Sequence, residues 1–325
     1  MIISKTPLRI SFLGGGTDLP IFIKDHNFGC VISTTINKFI YVSIKEHGDL
    51  FYENYRLNYS DTEVVNKIDE IKNNIIRETL KFFKIKKKLY ISTIADIPSN
   101  SGLGSSSAFC VGLINILYNF VGEKTNKLKL ANEAFAIEKD IVGKNIGYQD
   151  HFSAAYGGLN FIKFYEKKFT FQRINNNKII KPIFNHLISF NLNMYRNAND
   201  ILKDQVNNYN KNKKNLETIK EITLLGLRDL KNDKINEFFK KIDKSWSEKR
   251  KLSNKISNKI FDNAYKTCLK YGAFGGKISG AGGGGFMNIF ANKNKQNKII
   301  EKMKILNFEY IPINYYKDGT KITKF

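Results

Sequence analysis

The segment Pro98-Ser99-Asn100-Ser101-Gly102-Leu103-Gly104-Ser105-Ser106-Ser107-Ala108 constrains this chain more than any other. Before it comes Leu89-Tyr90-Ile91-Ser92-Thr93-Ile94, which reads as a strand. After it, Ser105 to Val121 is apolar on nearly every side through Val111, Leu113, Ile114, Ile116, Leu117 and Phe120, which predicts a helix buried all round. A strand that turns through two glycines into a buried helix builds an anion site. Gly102 and Gly104 let the backbone approach a phosphate closely, and the free N–H groups and dipole of the helix start attract negative charge. Three hydroxyls, those of Ser105, Ser106 and Ser107, stand at the same place. A serine-capped helix after a glycine turn would use the same residues, so this segment alone leaves both readings open.

Competing phosphate motifs are excluded by the residues themselves. No Gly-x-x-x-x-Gly-Lys-Ser/Thr occurs, and Gly102-Leu103-Gly104-Ser105-Ser106-Ser107 lacks the third glycine of a dinucleotide fingerprint. Val42-Ser43-Ile44-Lys45 faintly resembles the lysine strand of protein kinases, but neither His-Arg-Asp nor Asp-Phe-Gly is present, so it reads as ordinary sheet.

The net charge of +23 raises nucleic-acid binding as a possibility. The lysines argue against it, because they are scattered through Lys84 to Lys88, Lys211 to Lys214 and Lys293 to Lys304 among many asparagines, with no single basic stripe. A general attraction for anions suits small phosphorylated ligands as well. The three cysteines, Cys30, Cys110 and Cys268, are far apart and suggest neither disulfides nor a thiolate metal site. The start of the sequence is interrupted by Lys5 and Pro7 too early for a signal peptide, and no apolar run approaches a membrane span. These features lead us to expect a soluble protein of the cytoplasm.

Strand-like runs at Ile2 to Leu13 and Cys30 to Lys45 flank the turn Gly14-Gly15-Gly16. Helical spacing of Val64, Ile68, Ile71, Ile75 and Leu80 predicts a helix over 64–83, and a further helix is expected over Leu130 to Val142. Asn175-Asn176-Asn177-Lys178 reads as a linker, followed by a strand at Leu187 to Leu192, Lys-rich helices to about Tyr271, a glycine-rich loop, and a closing strand, helix and strand. The expected architecture is α+β in two domains, residues 1–178 and 179–325.

With the first motif placed, two more fall in order. Pro7-Leu8-Arg9-Ile10-Ser11-Phe12-Leu13-Gly14-Gly15-Gly16-Thr17-Asp18-Leu19-Pro20 and Lys277-Ile278-Ser279-Gly280-Ala281-Gly282-Gly283-Gly284-Gly285 flank it near the two ends. Each could be a mere turn. Together with Pro98 to Ser107, which is similar to the ATP-phosphate loop of the GHMP kinases, they resemble that family over essentially the whole chain. The resemblance implies an amino-terminal domain like ribosomal protein S5 and a ferredoxin-like carboxy-terminal domain, with the site between them. It also implies ATP bound by Pro98, Ser101, Gly102, Leu103, Gly104, Ser105, Ser106 and Ser107, with Gly282 and Gly283 from the third motif.

Further roles follow from the same resemblance. Gly147-Tyr148-Gln149-Asp150-His151 looks like the family segment whose aspartate acts as general base, which marks Asp150, although an aspartate capping a short helix would also fit. Arg9 matches a catalytic cation, with a surface ion pair as the alternative, and Gly16, Thr17 and Asp18 match the sugar-recognition motif. Mg2+ is expected on one loop hydroxyl, that of Ser106 or more especially Ser107, together with Glu138. Galactokinase carries an acidic residue and a histidine where this chain has Gly15 and Gly16, which speaks against galactose. The same segments look most like the branch of heptose 7-phosphate kinases, with fucokinase-like enzymes nearby. That branch implies transfer to an anomeric C1 hydroxyl in nucleotide-heptose synthesis for surface polysaccharide. Arg196 is then the expected contact for the substrate's own phosphate.

Overall fold

The computed structural model describes residues 1–194 and 198–325; Arg196 lies outside the described residues. Strands β1 (Ile2–Leu13) and β2 (Gly29–Glu46), joined through α1 (Pro20–His26), pair antiparallel along most of their length. The register slips between Pro7 and Arg9 and again between Ser11 and Leu13. Such bulges re-aim side chains, and Arg9 lies between the two. The sheet is completed by β3 (Tyr55–Asn58), β4 (Thr62–Val65), β5 (Leu89–Ala95), β6 (Leu159–Phe164) and β7 (Phe169–Arg173).

The helix expected over 64–83 is shorter in the structure. Val64 and Val65 belong to β4, paired with β3, and α2 (Asn74–Phe82) begins only where the Asn73 side chain accepts the Ile76 N–H. Helix α3 (Ser105–Val121) is buried as expected. It passes so close to β1 that a Cβ on Gly112 would stand 2.7 Å from Thr6 Oγ1. Helix α4 (Lys127–Ala136) continues into a π-helical turn, Ile137–Ile141, and α5 (Gln149–Tyr156) precedes β6.

The second half contains α6 (Asn177–His186), β8 (Leu187–Asn191), α7 (Ala198–Asn207), α8 (Tyr209–Lys231), α9 (Ile235–Arg250), α10 (Lys259–Lys270), β9 (Ala273–Ile278), β10 (Phe286–Ala291), α11 (Lys293–Ile305), β11 (Glu309–Ile311) and β12 (Lys321–Lys324). The asparagine run is not a linker, since the Asn176 side chain caps α6. A second, antiparallel sheet runs β11-β8-β10-β9. The division at residue 178 does not hold to the end of the chain. Strand β12 returns to pair with β1 in the first sheet, where Ile2 faces Lys324. A free sheet edge exposes unpaired backbone groups, and this return covers it.

The two sheets meet over aromatic rings. Phe12 on β1 stands edge-on to Phe238 on α9 at 6.0 Å and to Phe290 on β10 at 5.8 Å, all three buried. The three cysteines are buried and unpaired. Among the described residues no helix is long and apolar enough to cross a membrane.

Candidate active site

The turn into α3 is built from left-handed backbone. Gly102 has φ +74° and Gly104, the N-cap, φ +77°, values that favour glycine. The third glycine loop lies directly on this turn: a Cβ on Gly102 would come 2.7 Å from the Ser279 carbonyl, and one on Gly280 would meet the Gly102 Cα at 2.7 Å. A cleft opens here, lined by Gly102, Gly104, Ser105, Ser106 and Ser107 on one side and Gly280 and Ala281 on another. Five residues expected to hold ATP do not line this cleft. Gly282 and Gly283 pack on Ile256, with the Gly283 N–H donating to the Ile256 carbonyl at 2.7 Å, so the third motif faces the cleft two residues earlier than expected. Leu103 is a core side chain whose carbonyl accepts the Arg9 N–H at 3.0 Å, and Pro98 is exposed away from the cleft. Ser101 is buried beneath the turn.

Arg9 and Asp150 come together across the cleft. The Arg9 Nε donates to Asp150 Oδ1 at 2.8 Å, Nη2 to Oδ2 at 2.6 Å, and Nη1 to the Gly102 carbonyl at 2.6 Å. Arg9 is only 4% exposed, so this is no surface ion pair. Asp150 is the second residue of α5, and its carboxylate goes to the guanidinium and not to a helix cap. A planar fork against a carboxylate fixes orientation as well as charge.

Asp18 stands beside this pair. It is buried, and its oxygens accept the N–H groups of Gly16 at 3.0 Å and Gln149 at 3.1 Å. Burial raises its carboxyl above the usual range with Asp150 adding repulsion, while these two N–H bonds oppose the rise. Gly16 and Asp18 line the cleft, whereas Thr17 does not. The Thr17 hydroxyl lies 2.8 Å from the Gly14 carbonyl and 2.9 Å from that of Cys30, which corrects it from substrate contact to a brace between the glycine turn and β2. A Cβ on Gly147 would fall 2.1 Å from Asp18 Oδ2. We therefore expect Gly147→Ala to cost about 1–3 kcal/mol of stability, as overpacking does. It should also raise the acceptor KM. Thermal melting and steady-state kinetics check the two effects.

Glu138 sits in the π-helical turn and is fully buried. Its Oε1 accepts from the Ser106 hydroxyl at 2.5 Å and from Lys144 Nζ at 2.7 Å, and its Oε2 pairs with His151 Nε2 at 2.8 Å. Burial pushes its carboxyl up, but His151 and Lys144 outweigh that and hold it well below the usual carboxylate range. Lys144 Nζ is also 2.7 Å from the Ser106 hydroxyl, so this ammonium fills the gap between one hydroxyl and one carboxylate. Such an oxygen pair suits a hard cation that completes its shell with phosphate oxygens and water. The hydroxyl in contact with Glu138 is that of Ser106. Ser107 is buried one residue further into α3 while still lining the cleft.

Lys144, Gln149, Asn199, Gln205 and Lys249 line the same cleft and were not singled out by sequence reasoning. Gln149 was within reach, being next to Asp150. The others carry no motif, since Lys249 is one lysine among many in α9 and reaches the cleft only by packing.

A glycine-cradled helix start facing a carboxylate held by a guanidinium is the cleft of a kinase acting on a small molecule. Family models agree. Residues 66–158 match "GHMP kinases N terminal domain" and residues 227–307 match "GHMP kinases C terminal", together a little over half of the chain. The chain belongs to the GHMP kinases and is a phosphotransferase. It is 29% identical to the D-glycero-alpha-D-manno-heptose 7-phosphate kinase of Campylobacter jejuni, over 98% of this chain and 97% of that protein. Its fold matches the crystal structure of a D-glycero-D-manno-heptose 1-phosphate kinase from Bacteroides thetaiotaomicron, with a TM-score of 0.80, 20% identity, and coverage of 100% of this chain and 99% of the other. A second crystal structure, of a protein from Campylobacter jejuni, matches with a TM-score of 0.76 and 25% identity, covering 100% and 98% of the two chains.

Proposed function

We propose that this enzyme transfers the γ-phosphoryl group of ATP to the anomeric C1 hydroxyl of D-glycero-α-D-manno-heptose 7-phosphate. The observation that carries the reading is the bidentate Arg9–Asp150 pair, set between the phosphate-binding turn at Gly102–Ser107 and the buried carboxylate of Asp18. The long likeness to a heptose 7-phosphate kinase supports the substrate.

In this reading the N–H groups at the start of α3 hold the ATP phosphates. Asp18 fixes sugar hydroxyls, using lone pairs left free by its two backbone bonds. Asp150 takes the proton of the attacking hydroxyl as the new O–P bond forms. Arg9 keeps Asp150 aimed through its two hydrogen bonds. Glu138 would hold Mg2+ with the hydroxyl of Ser106 or Ser107, Lys144 giving way. Bound there, the ion would neutralise charge on the phosphate oxygens. Arg196 would contact the 7-phosphate, and the protein would work in the cytoplasm.

A panel of sugars and sugar phosphates with ATP and Mg2+ tests the proposal. Heptose 7-phosphate should be used far better than galactose, fucose or mannose, and Arg196→Ala should raise its KM more than it lowers kcat. Loss of a charged hydrogen bond to phosphate corresponds to about 1.5–3 kcal/mol. A better rate with an unphosphorylated sugar such as fucose would overturn the heptose phosphate and leave the kinase. ATP turnover with none of the panel, alongside salt-sensitive RNA or DNA binding, would favour a non-catalytic relative.

A further inference from the structure

The positive charges of the cleft are unequally committed. Arg9 is spent on Asp150 and the Gly102 carbonyl, and Lys144 on Glu138 and Ser106. Lys249 is not. It lies at the end of α9, is 6% exposed, and lines the cleft. Its one hydrogen bond among the described residues goes from Nζ to the Gly280 carbonyl at 2.6 Å, leaving two N–H groups and no carboxylate partner. A Cβ on Gly15 would stand 3.5 Å from this nitrogen, so the ammonium bridges the amino-terminal glycine turn and the third glycine loop. A buried charge without a paired counter-ion is costly and calls for an anion.

We propose that Lys249 is a catalytic residue, whose ammonium contacts the phosphoryl group in flight between ATP and the acceptor. The proposal rests on the reading that Asp150 receives the acceptor proton. The acceptor oxygen forms a bond to the γ-phosphorus while the bond from that phosphorus to the bridging oxygen breaks. Its electron pair leaves with ADP, and the acceptor proton goes to Asp150. Lys249 gives up no proton; it stabilises charge on the equatorial oxygens, where a fixed cation in a water-poor site is most effective.

The surroundings support a cation tuned to this task. Burial lowers the Lys249 ammonium to about 8, Arg9 pushing the same way while Asp18 and Asp150 oppose. Lys277, a neighbouring buried lysine on β9, is likewise pushed well down by burial, and by Lys249 and Arg9, while Asp18 opposes, and its Nζ lies 3.5 Å from the Phe12 carbonyl. Below pH about 8 Lys249 carries its charge, and above it the charge is lost. The kcat/KM profile, which reports groups of the free enzyme, should therefore fall on the alkaline side.

Lys249→Met and Lys249→Arg test this. The methionine variant should lose about 10^2- to 10^3-fold in kcat, as when one donor to a developing charge is removed. It should keep the wild-type affinity for ATP in an equilibrium titration and bind ADP–aluminium fluoride with acceptor more weakly. The arginine variant should retain part of the rate and lose the alkaline limb, because a guanidinium stays protonated. A folded methionine variant with wild-type kcat and only a raised acceptor KM would overturn the proposal, as would an unchanged alkaline limb in the arginine variant. If the methionine variant does not fold, the arginine pH profile decides. If no sugar is phosphorylated by the wild type, the heptose reading falls. The same variants are then compared on hydrolysis of ATP by water, where loss of rate in the methionine variant upholds Lys249 and an undiminished rate rejects it.

Discussion

Asp150→Asn should lower kcat by about 10^2 to 10^4-fold while nucleotide affinity stays near that of the wild type, because a carboxamide cannot take a proton from the acceptor hydroxyl. In the proposed reading the nucleotide phosphates sit on the backbone N–H groups of Gly102 to Ser107, and asparagine leaves those groups in place. Stability should fall as well. The carboxamide would offer Arg9 one oxygen in place of two and no countercharge, for a guanidinium that is only 4% exposed. The loss of a charge-assisted hydrogen bond is worth about 1.5–3 kcal/mol. Melting curves, an ATP titration and single-turnover kinetics separate the three effects. A variant keeping more than about one-third of kcat, with chemistry shown to be rate-limiting, would remove the base role from Asp150 and point to Asp18.

Glu138→Gln should produce the largest loss of stability among these substitutions. It leaves the Lys144 ammonium and the buried His151 facing a neutral amide in place of the carboxylate they share. Removing one partner of a buried ion pair costs about 3–5 kcal/mol. Activity should fall, and the Mg2+ concentration giving half-maximal rate should rise, with partial recovery in excess Mg2+. Sign and pH range follow from the carboxyl. Because the folded state holds it well below its unfolded value, its stabilisation is complete above the unfolded range near 4 and fades as pH falls. The difference in stability between wild type and Glu138→Gln should therefore shrink in acid. Lower stability with an unchanged Mg2+ dependence would leave Glu138 as a brace for His151 and Lys144 alone.

The motifs legible in the sequence share one property: their geometry is local. Gly102, Gly104 and Gly16 adopt positive φ that favours glycine, and the apolar run after Ser105 requires a buried helix, so a glycine turn into a buried helix can be read from consecutive residues. Asp18, Asp150 and Glu138 were accessible for a different reason, since each lies inside a segment that resembles the family's own. Where only periodicity was available, the reading failed at boundaries. Val64 kept a helical spacing yet went to β4, because pairing with β3 outweighs a pattern of so few residues. The asparagines at 175–177 looked like a linker because asparagine favours turns and helix caps alike.

By itself, then, the sequence determined that this chain turns through glycines into a buried helix, and that it does so within the GHMP kinase order of motifs. Only the tertiary structure decided which charges meet. Arg9 reaches Asp150 across 141 positions of chain, and Lys249 enters from α9 to the Gly280 carbonyl. Glu138 receives Ser106, Lys144 and His151 at one buried point, and β12 closes onto β1. Such meetings depend on how helices and sheets pack, and packing selects partners by burial and desolvation, which spacing along a chain does not encode.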